Sequence, residues 1–126
     1  MSSFVLLFPV KTSVLVFGEK EVSVEMKEEK QLTWVCIATS DPSTPPRVRW
    51  FKETKEGDKM VYEEPPVLLI RDGVLNIHVV PNKTQGWETY KGMYRCDGEN
   101  GYSKESVYVV LRIVSPGNSH YFNTMH

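Results

Sequence analysis

Two cysteines constrain the fold of this chain more than any other feature, because they stand in a fixed order with one tryptophan and one tyrosine. Cys36 and Cys96 are the only cysteines among the 126 residues, and 60 positions separate them. Trp50 follows the first cysteine by 14 positions, and Tyr94 precedes the second by two. Residues two positions apart on a β-strand face the same side, so Tyr94 and Cys96 are expected to enter one core.

The segments around these residues alternate between apolar and polar side chains, which is the pattern of half-buried β-strands. This alternation predicts strands near residues 21–26, 32–39, 48–51, 67–70, 75–80, 92–97 and 104–114, with a short strand at 59–63 and a first strand at 4–8 or 14–17. No helical period is sustained, so the predicted fold is all-β. The residues expected to face inward include Leu32, Trp34, Cys36, Ala38, Val48, Trp50, Leu75, Ile77, Val80, Tyr94 and Cys96.

The cysteine–tryptophan–tyrosine order, the Gly-Met-Tyr-Arg-Cys run at 92–96 and the Leu-Asn-Ile strand at 75–77 resemble an immunoglobulin-superfamily domain of the intermediate set. The resemblance implies a two-sheet Greek-key sandwich. It also implies that Cys36 and Cys96 form a disulfide across the core, with Trp50 packed on the sulfurs. The Tyr94 hydroxyl is expected to bond a backbone group at the neighbouring corner. The alternative is two unrelated buried thiols in another β protein, which the order and spacing disfavour.

One departure narrows the resemblance. Most members carry an aspartate six positions before the second cysteine, paired with an arginine, but this chain has Tyr90 there, so Arg71 loses that usual partner. An aromatic residue at this place, after a lengthened connection at 81–89, resembles the first domain of neural adhesion molecules of the neurofascin and neuroglian type. We expect the 81–89 loop to be exposed, with the Trp87 side chain packed back on the sandwich because exposure of an indole ring to water is unfavourable.

The domain organisation follows from these boundaries. We predict an N-terminal segment with the first strand at 1–19, an immunoglobulin-like domain at 20–115 and a linker or tail at 116–126. The apolar run at 4–10 is too short for a membrane span and lacks the basic flank of a signal peptide. Any membrane attachment is therefore expected through parts of the protein outside this sequence.

Charge and cysteine usage indicate the kind of environment and partner. The net charge of −1 argues against a nucleic-acid partner, which is held largely by positive charge. A cysteine pair placed for bridging suits an oxidising compartment. Asn82, in the triplet Asn-Lys-Thr, fits the N-glycosylation pattern in a predicted surface loop. Both features predict an extracellular location.

The sequence contains no pattern typical of catalysis, a metal or a cofactor. Two of the three histidines, His120 and His126, lie in the tail, and His78 lies on a strand face pointing away from the core. Glu63 and Glu64 are adjacent, so on a strand they point to opposite faces and do not form a catalytic pair. We therefore predict no enzyme activity, no cofactor and no small-molecule substrate.

Protein binding is the leading functional hypothesis. Alternate residues of a strand face the same side, which gives a group of side chains that are expected to point away from the core. They lie on the strand with Trp50, the strand with Cys96 and the last strand: Arg49, Phe51, Arg95, Asp97, Tyr108, Val110 and Arg112. Aromatic residues and arginines are enriched in interface hot spots. We predict a homophilic or heterophilic cell-surface protein partner that contacts chiefly Arg49, Phe51, Arg95, Tyr108 and Val110. The alternatives are an intracellular titin-like structural module and an accessory chain of an immune receptor.

Overall fold

Nine strands run through the residues that the computed structural model describes, which are 11–25, 27–80 and 87–114. The strands are β1 (Ser13–Phe17), β2 (Glu21–Glu25), β3 (Lys30–Thr39), β4 (Arg47–Thr54), β5 (Gly57–Met60), β6 (Leu68–Arg71), β7 (Val74–Val79), β8 (Gly92–Glu99) and β9 (Lys104–Val114), with a 3₁₀ turn at Trp87–Thr89. They form a four-stranded sheet, β1-β3-β7-β6, and a five-stranded sheet, β2-β9-β8-β4-β5. The predicted all-β sandwich is confirmed.

The first two strands belong to different sheets. Strand β1 pairs with β3 in antiparallel fashion, whereas β2 runs parallel to β9. Gly18 allows the chain to cross from one sheet to the other, since its φ is +124° and an added Cβ would lie 2.8 Å from the Thr33 carbonyl oxygen. Of the two segments predicted for the first strand, 14–17 lies in β1. The other, 4–8, and the predicted tail at 116–126 lie outside the described residues.

The core lies between the sheets and is built from alternate residues of their strands. Its buried side chains include Trp34, Cys36, Trp50, Leu75, Ile77, Tyr94 and Cys96, as predicted. Val48 is half-buried and packs against this cluster. The prediction of Val80 as an inward residue is wrong, because β7 keeps its alternation and buries Val79 instead.

A disulfide joins the two sheets, because Cys36 lies on β3 and Cys96 on β8, and the structure links them. Trp50 is the direct cross-strand neighbour of Cys96. Its indole N–H donates a 3.0 Å hydrogen bond to the Gly73 carbonyl, which also accepts the Cys36 backbone N–H at 3.1 Å. The turn between β6 and β7 therefore anchors both sides of the core at one carbonyl group.

Tyr94 has the predicted corner bond. Its hydroxyl donates to the Tyr90 backbone carbonyl, and its ring centroid lies 6.3 Å from that of Trp34. Burial raises the pKa of the Tyr94 hydroxyl well above its ordinary value, with a smaller contribution from the neighbouring Tyr90. Tyr94 therefore stays neutral and acts as a hydrogen-bond donor at physiological pH.

One local prediction needs correction. The short strand expected at 59–63 is β5, Gly57–Met60, because Gly57 adopts a φ of +107° and closes a tight turn directly after Thr54. In place of the usual aspartate partner, whose position is taken by Tyr90, Arg71 faces Glu63, with its Nε 3.6 Å from the Glu63 Oε2 atom. In the connection predicted as a loop at 81–89, the last three residues form the 3₁₀ turn, and 81–86 lie outside the described residues.

Candidate functional site

The strand register brings the five predicted contact residues to the outer face of the five-stranded sheet. The central row of this face runs across β5, β4, β8 and β9 and consists of Met60, Phe51, Arg95 and Tyr108. Arg49 lies in the next row, opposite Asp97. Val110 lies in the row on the other side, opposite Met93 and next to Glu21 of β2.

Arg95 is held in place by contacts on three sides. Its Nε donates a 2.7 Å hydrogen bond to Asp97 Oδ1, and its terminal nitrogen pairs with Asp58 of β5. The guanidinium carbon lies 4.7 Å from the centroid of the Phe51 ring, which is within the range of a cation–π contact. The side chain of Arg95 is therefore only 17% exposed, and it holds Phe51, Asp58 and Asp97 in position.

Asp97 does not lie exposed as predicted. It points to the outer side of β8, but its side chain is only 7% exposed. Ser106 on β9 donates a 2.6 Å hydrogen bond to the same carboxylate oxygen that accepts from Arg95, and Lys104 lies 3.9 Å from the other oxygen. These neighbours come from β8 itself and from β9, and together they cover the carboxylate.

Two large apolar or aromatic side chains of this face are open to a partner, next to exposed charged residues such as Lys104 and Arg112. Tyr108 is 48% exposed and Met93 is 37% exposed, whereas Phe51, Arg49 and Val110 are half-buried. Next to them lies a shallow depression of about 180 Å³, lined by Arg49, Phe51, Arg95, Asp97, Glu99 and Lys104. Arg112, also predicted for this face, forms a 3.1 Å ion pair with Glu21.

A second depression lies near the end of β4 and has a structural explanation. It has a volume of about 230 Å³ and is lined in part by Lys52, Glu64, Tyr90 and Tyr94. The Lys52 ammonium donates to the Thr89 carbonyl and lies 5.6 Å from the Tyr94 ring centroid. Burial lowers the pKa of Lys52. Because this nitrogen already bonds the 3₁₀ turn and faces an aromatic ring, Lys52 fastens the turn to the sheet.

Of the remaining predicted features, some lie on residues that the structure describes and others do not. His78 on β7 bonds Glu29 at 2.6 Å on the protein surface. Asn82 lies outside the described residues, so its glycosylation stays a prediction, as does the position of the Trp87 side chain. Among residues 11–25, 27–80 and 87–114, no group of three His, Cys, Asp or Glu side chains is arranged to hold a metal ion. The same ranges contain no helix long and apolar enough to span a membrane.

Sequence reasoning missed one group of exposed residues. Leu15, Phe17 and Ile37 are exposed on the outer side of the other sheet. The sequence contains a signal for this exposed group. Every residue of Val-Leu-Val-Phe at 14–17 and of Val-Cys-Ile at 35–37 is apolar, so each strand has apolar side chains on both faces.

Comparison with known proteins identifies the architecture. No family model and no curated protein sequence matches the chain. A Dscam structure from work on isoform specificity matches over 79% of this chain with 24% identity and a TM-score of 0.56. The N-terminal four Ig domains of Dscam1 isoform 1.9 match over 79% with 26% identity and a TM-score of 0.53. In both cases the chain spans only 23% of the matched chain.

Two further structures have the same architecture. Extracellular domains 3–5 of Drosophila OTK match over 84% of this chain and 32% of their own, with 23% identity and a TM-score of 0.57. An Ig complex of titin and obscurin-like 1 matches over 83% of this chain and 95% of the matched chain, with 19% identity and a TM-score of 0.53. These similarities agree with the predicted sandwich, whereas the narrower resemblance to the neurofascin and neuroglian type stays a prediction.

Proposed function

We propose that this immunoglobulin domain is a recognition module of a cell-surface or secreted protein, and that it binds another protein through the outer face of β4, β8 and β9. The central row carries the proposal. Phe51, Arg95 and Tyr108 lie side by side on three neighbouring strands, and Arg95 is fixed between two carboxylates and an aromatic ring. A face that is ordered before binding loses little side-chain freedom on association.

The exposed side chains suit a protein partner. Tyr108 and Met93 offer apolar area, and Tyr108 adds a hydroxyl that is able to bond a partner's polar group. Next to them the charge of Arg95 is already paired with Asp58 and Asp97. A partner therefore covers apolar surface at the centre without having to compensate the charge of Arg95, and charged groups surround this centre, which is the usual anatomy of a protein interface.

Three observations support an extracellular location. The Cys36–Cys96 disulfide suits an oxidising compartment. One set of structural neighbours consists of domains described as extracellular. The acceptor triplet at Asn82 is the third.

Replacement of Tyr108 by serine is expected to weaken partner binding at least tenfold, because it removes the most exposed aromatic side chain of the central row. A dimeric fusion of the domain is applied to a panel of cells, and bound fusion is measured by flow cytometry. Tyr102→Ser and Tyr62→Ser are matched controls, since both tyrosines are 72% exposed and lie in loops. Equal binding by all three folded variants would exclude this face.

A spacer module inside the cell is the second candidate, and one observation favours it. In the complex of titin and obscurin-like 1, the matched chain is similar in size to this one, since this chain covers 95% of it. The two candidates differ in the state of the cysteines in native material, because cytosolic thiols are kept reduced.

A further inference from the structure

Asn100 connects two loops at one end of the sandwich. It begins the turn between β8 and β9, and its side chain reaches the loop between β3 and β4. The amide nitrogen donates a 2.7 Å hydrogen bond to the Ser40 hydroxyl and a 3.4 Å hydrogen bond to the Thr44 hydroxyl. These two hydroxyl oxygens also lie 3.4 Å apart. One side-chain amide therefore joins two loops that are distant along the chain.

The other end of this amide fixes its orientation. The side-chain oxygen of Asn100 accepts the backbone N–H groups of Tyr102 and Ser103, each at 2.9 Å. Since both of these groups are donors, the atom that faces them is the oxygen, and the nitrogen points to the hydroxyls. We call the arrangement of Asn100, Ser40 and Thr44 the loop latch.

The residue after Asn100 makes its amide chemically labile. Asn100 is the only one of the five asparagines that is followed by glycine. Gly101 has a φ of +93°, and apart from its chain neighbours the described residues place no atom within 4 Å of an added Cβ. Because no side chain stands in the way, the Gly101 backbone nitrogen is able to reach the side-chain carbon Cγ of Asn100. Asparagine is one of the thermolabile residues of proteins.

We propose that Asn100 is a deamidation site and that its conversion to isoaspartate opens the loop latch. The Gly101 nitrogen forms a bond to Cγ of Asn100 and releases its proton. The bond from Cγ to the side-chain nitrogen breaks, and ammonia leaves with that proton. Water then opens the resulting succinimide at one of its two carbonyl groups, which gives aspartate or isoaspartate. Water is the only co-reactant.

Solvent has access to the site. Asn100 and Gly101 line a depression of about 280 Å³ together with Pro45, Arg47 and Glu99. Asn100 is half-buried and Gly101 is exposed. The water that the second step consumes is therefore present next to the turn. The site lies at the loop end of the sandwich, and its reaction does not depend on the partner proposed for the outer sheet face.

The two products differ in their effect on the latch. Aspartate leaves the main chain unchanged, and its carboxylate is able to accept hydrogen bonds from the Ser40 and Thr44 hydroxyls, although it donates none. Isoaspartate adds a methylene group to the main chain of the turn. The carbonyl carbon that reached Ser40 then belongs to the backbone, so the contact between the loops is lost. Conversely, the hydrogen bonds of the intact latch restrain Cγ and slow its reaction with the Gly101 nitrogen.

Ageing of the full chain at mildly alkaline pH and body temperature tests the site. Peptide mapping by mass spectrometry follows each asparagine, and isoaspartate methyltransferase detects isoaspartate. Asn100 is expected to convert at least about tenfold faster than Asn76, because an unhindered glycine follows only Asn100. Asn76 is the matched control, since it is also half-buried but is followed by isoleucine within β7. An Asn100 amide that persists while Asn82 or Asn118 converts would overturn the proposal.

Removal of one hydroxyl tests whether the latch restrains the reaction. Ser40→Ala is expected to raise the rate of deamidation at Asn100 by about threefold or more, in line with the modest net strength of one hydrogen bond. Thr39→Ala is the matched control, because it removes an exposed hydroxyl at the end of β3 that lies next to Ser40 but outside the latch. Equal rates in the two variants would show that the latch does not restrain Asn100, against the proposed coupling.

Hydrogen exchange measured by mass spectrometry tests the opening of the latch. Deamidated protein is separated by ion exchange, since the reaction adds a negative charge. The backbone amides at 40–44 are expected to exchange at least about threefold faster in the isoaspartate form than in the unmodified protein. The Asn100→Asp variant is expected to lie between these two, and the amides of β7 are the internal control. Equal exchange at 40–44 in all three forms overturns the latch.

Discussion

Removal of the Cys36–Cys96 disulfide is expected to lower the free energy of unfolding by about 4 kcal/mol. The bond closes a loop whose ends are 60 residues apart, and in the chain-entropy model a closure of this length restricts the unfolded chain by that amount. Domains of this size are stable by only about 5–15 kcal/mol in total. The variant with alanine at both positions is therefore expected to keep only about 1–11 kcal/mol and to unfold at a lower urea concentration than the wild type.

Urea denaturation followed by circular dichroism measures this effect. The wild type in the presence of a reductant is the matched control, because it lacks the bond but keeps both side chains. If the reduced wild type and the double-alanine variant lose similar stability, the cross-link itself is responsible. A loss below about 1 kcal/mol in both would contradict the account.

Trp34→Ala is expected to lower the free energy of unfolding by about 3–5 kcal/mol, as for other large core residues truncated to alanine. Trp34 is only 1% exposed and packs near the Tyr94 ring. Its indole N–H also donates a 2.6 Å hydrogen bond to the Glu19 carbonyl, at the point where the chain passes from β1 to β2. Loss of the side chain therefore leaves a cavity in the core and removes the hydrogen bond that holds the segment between β1 and β2.

Trp34→Phe separates these two contributions. Phenylalanine fills most of the volume but donates no hydrogen bond, so the expected loss is about 1–2 kcal/mol. Tyr62→Ala is the control, because Tyr62 is mostly exposed and its truncation is expected to change stability by less than about 0.5 kcal/mol. Stability would be measured by urea titration with constant m-values. Equal losses in the alanine and phenylalanine variants would show that packing around Trp34 contributes little.

The sequence predicts the core of this sandwich well for a physical reason. Inward residues recur with period two along each strand, and a tryptophan and two cysteines are rarely tolerated at exposed positions in such a pattern. Cys36, Trp50, Tyr94 and Cys96 therefore identify both the inward face and the pairing of the sheets. The Tyr94 corner bond follows from the same register.

What the sequence does not reveal depends partly on contacts between strands and partly on local backbone geometry. Asp97 is covered by Arg95 across one residue of β8 and by Ser106 and Lys104 from β9. The start of β5 depends on the positive φ of Gly57, which hydrophobic alternation does not reveal. The apolar outer face requires knowledge that β1 pairs with β3 in a register that sets Leu15 beside Ile37.

The state of Cys36 and Cys96 in the cells that make the protein tests the proposal that the domain works outside the cell as a disulfide-bridged recognition module. Intact cells are treated with a permeable thiol-alkylating reagent before lysis, and the digested protein is mapped by mass spectrometry without reduction. We predict a peptide containing Cys36 linked to a peptide containing Cys96, with neither cysteine alkylated. Alkylation of both cysteines as free thiols would contradict it and identify an intracellular module instead.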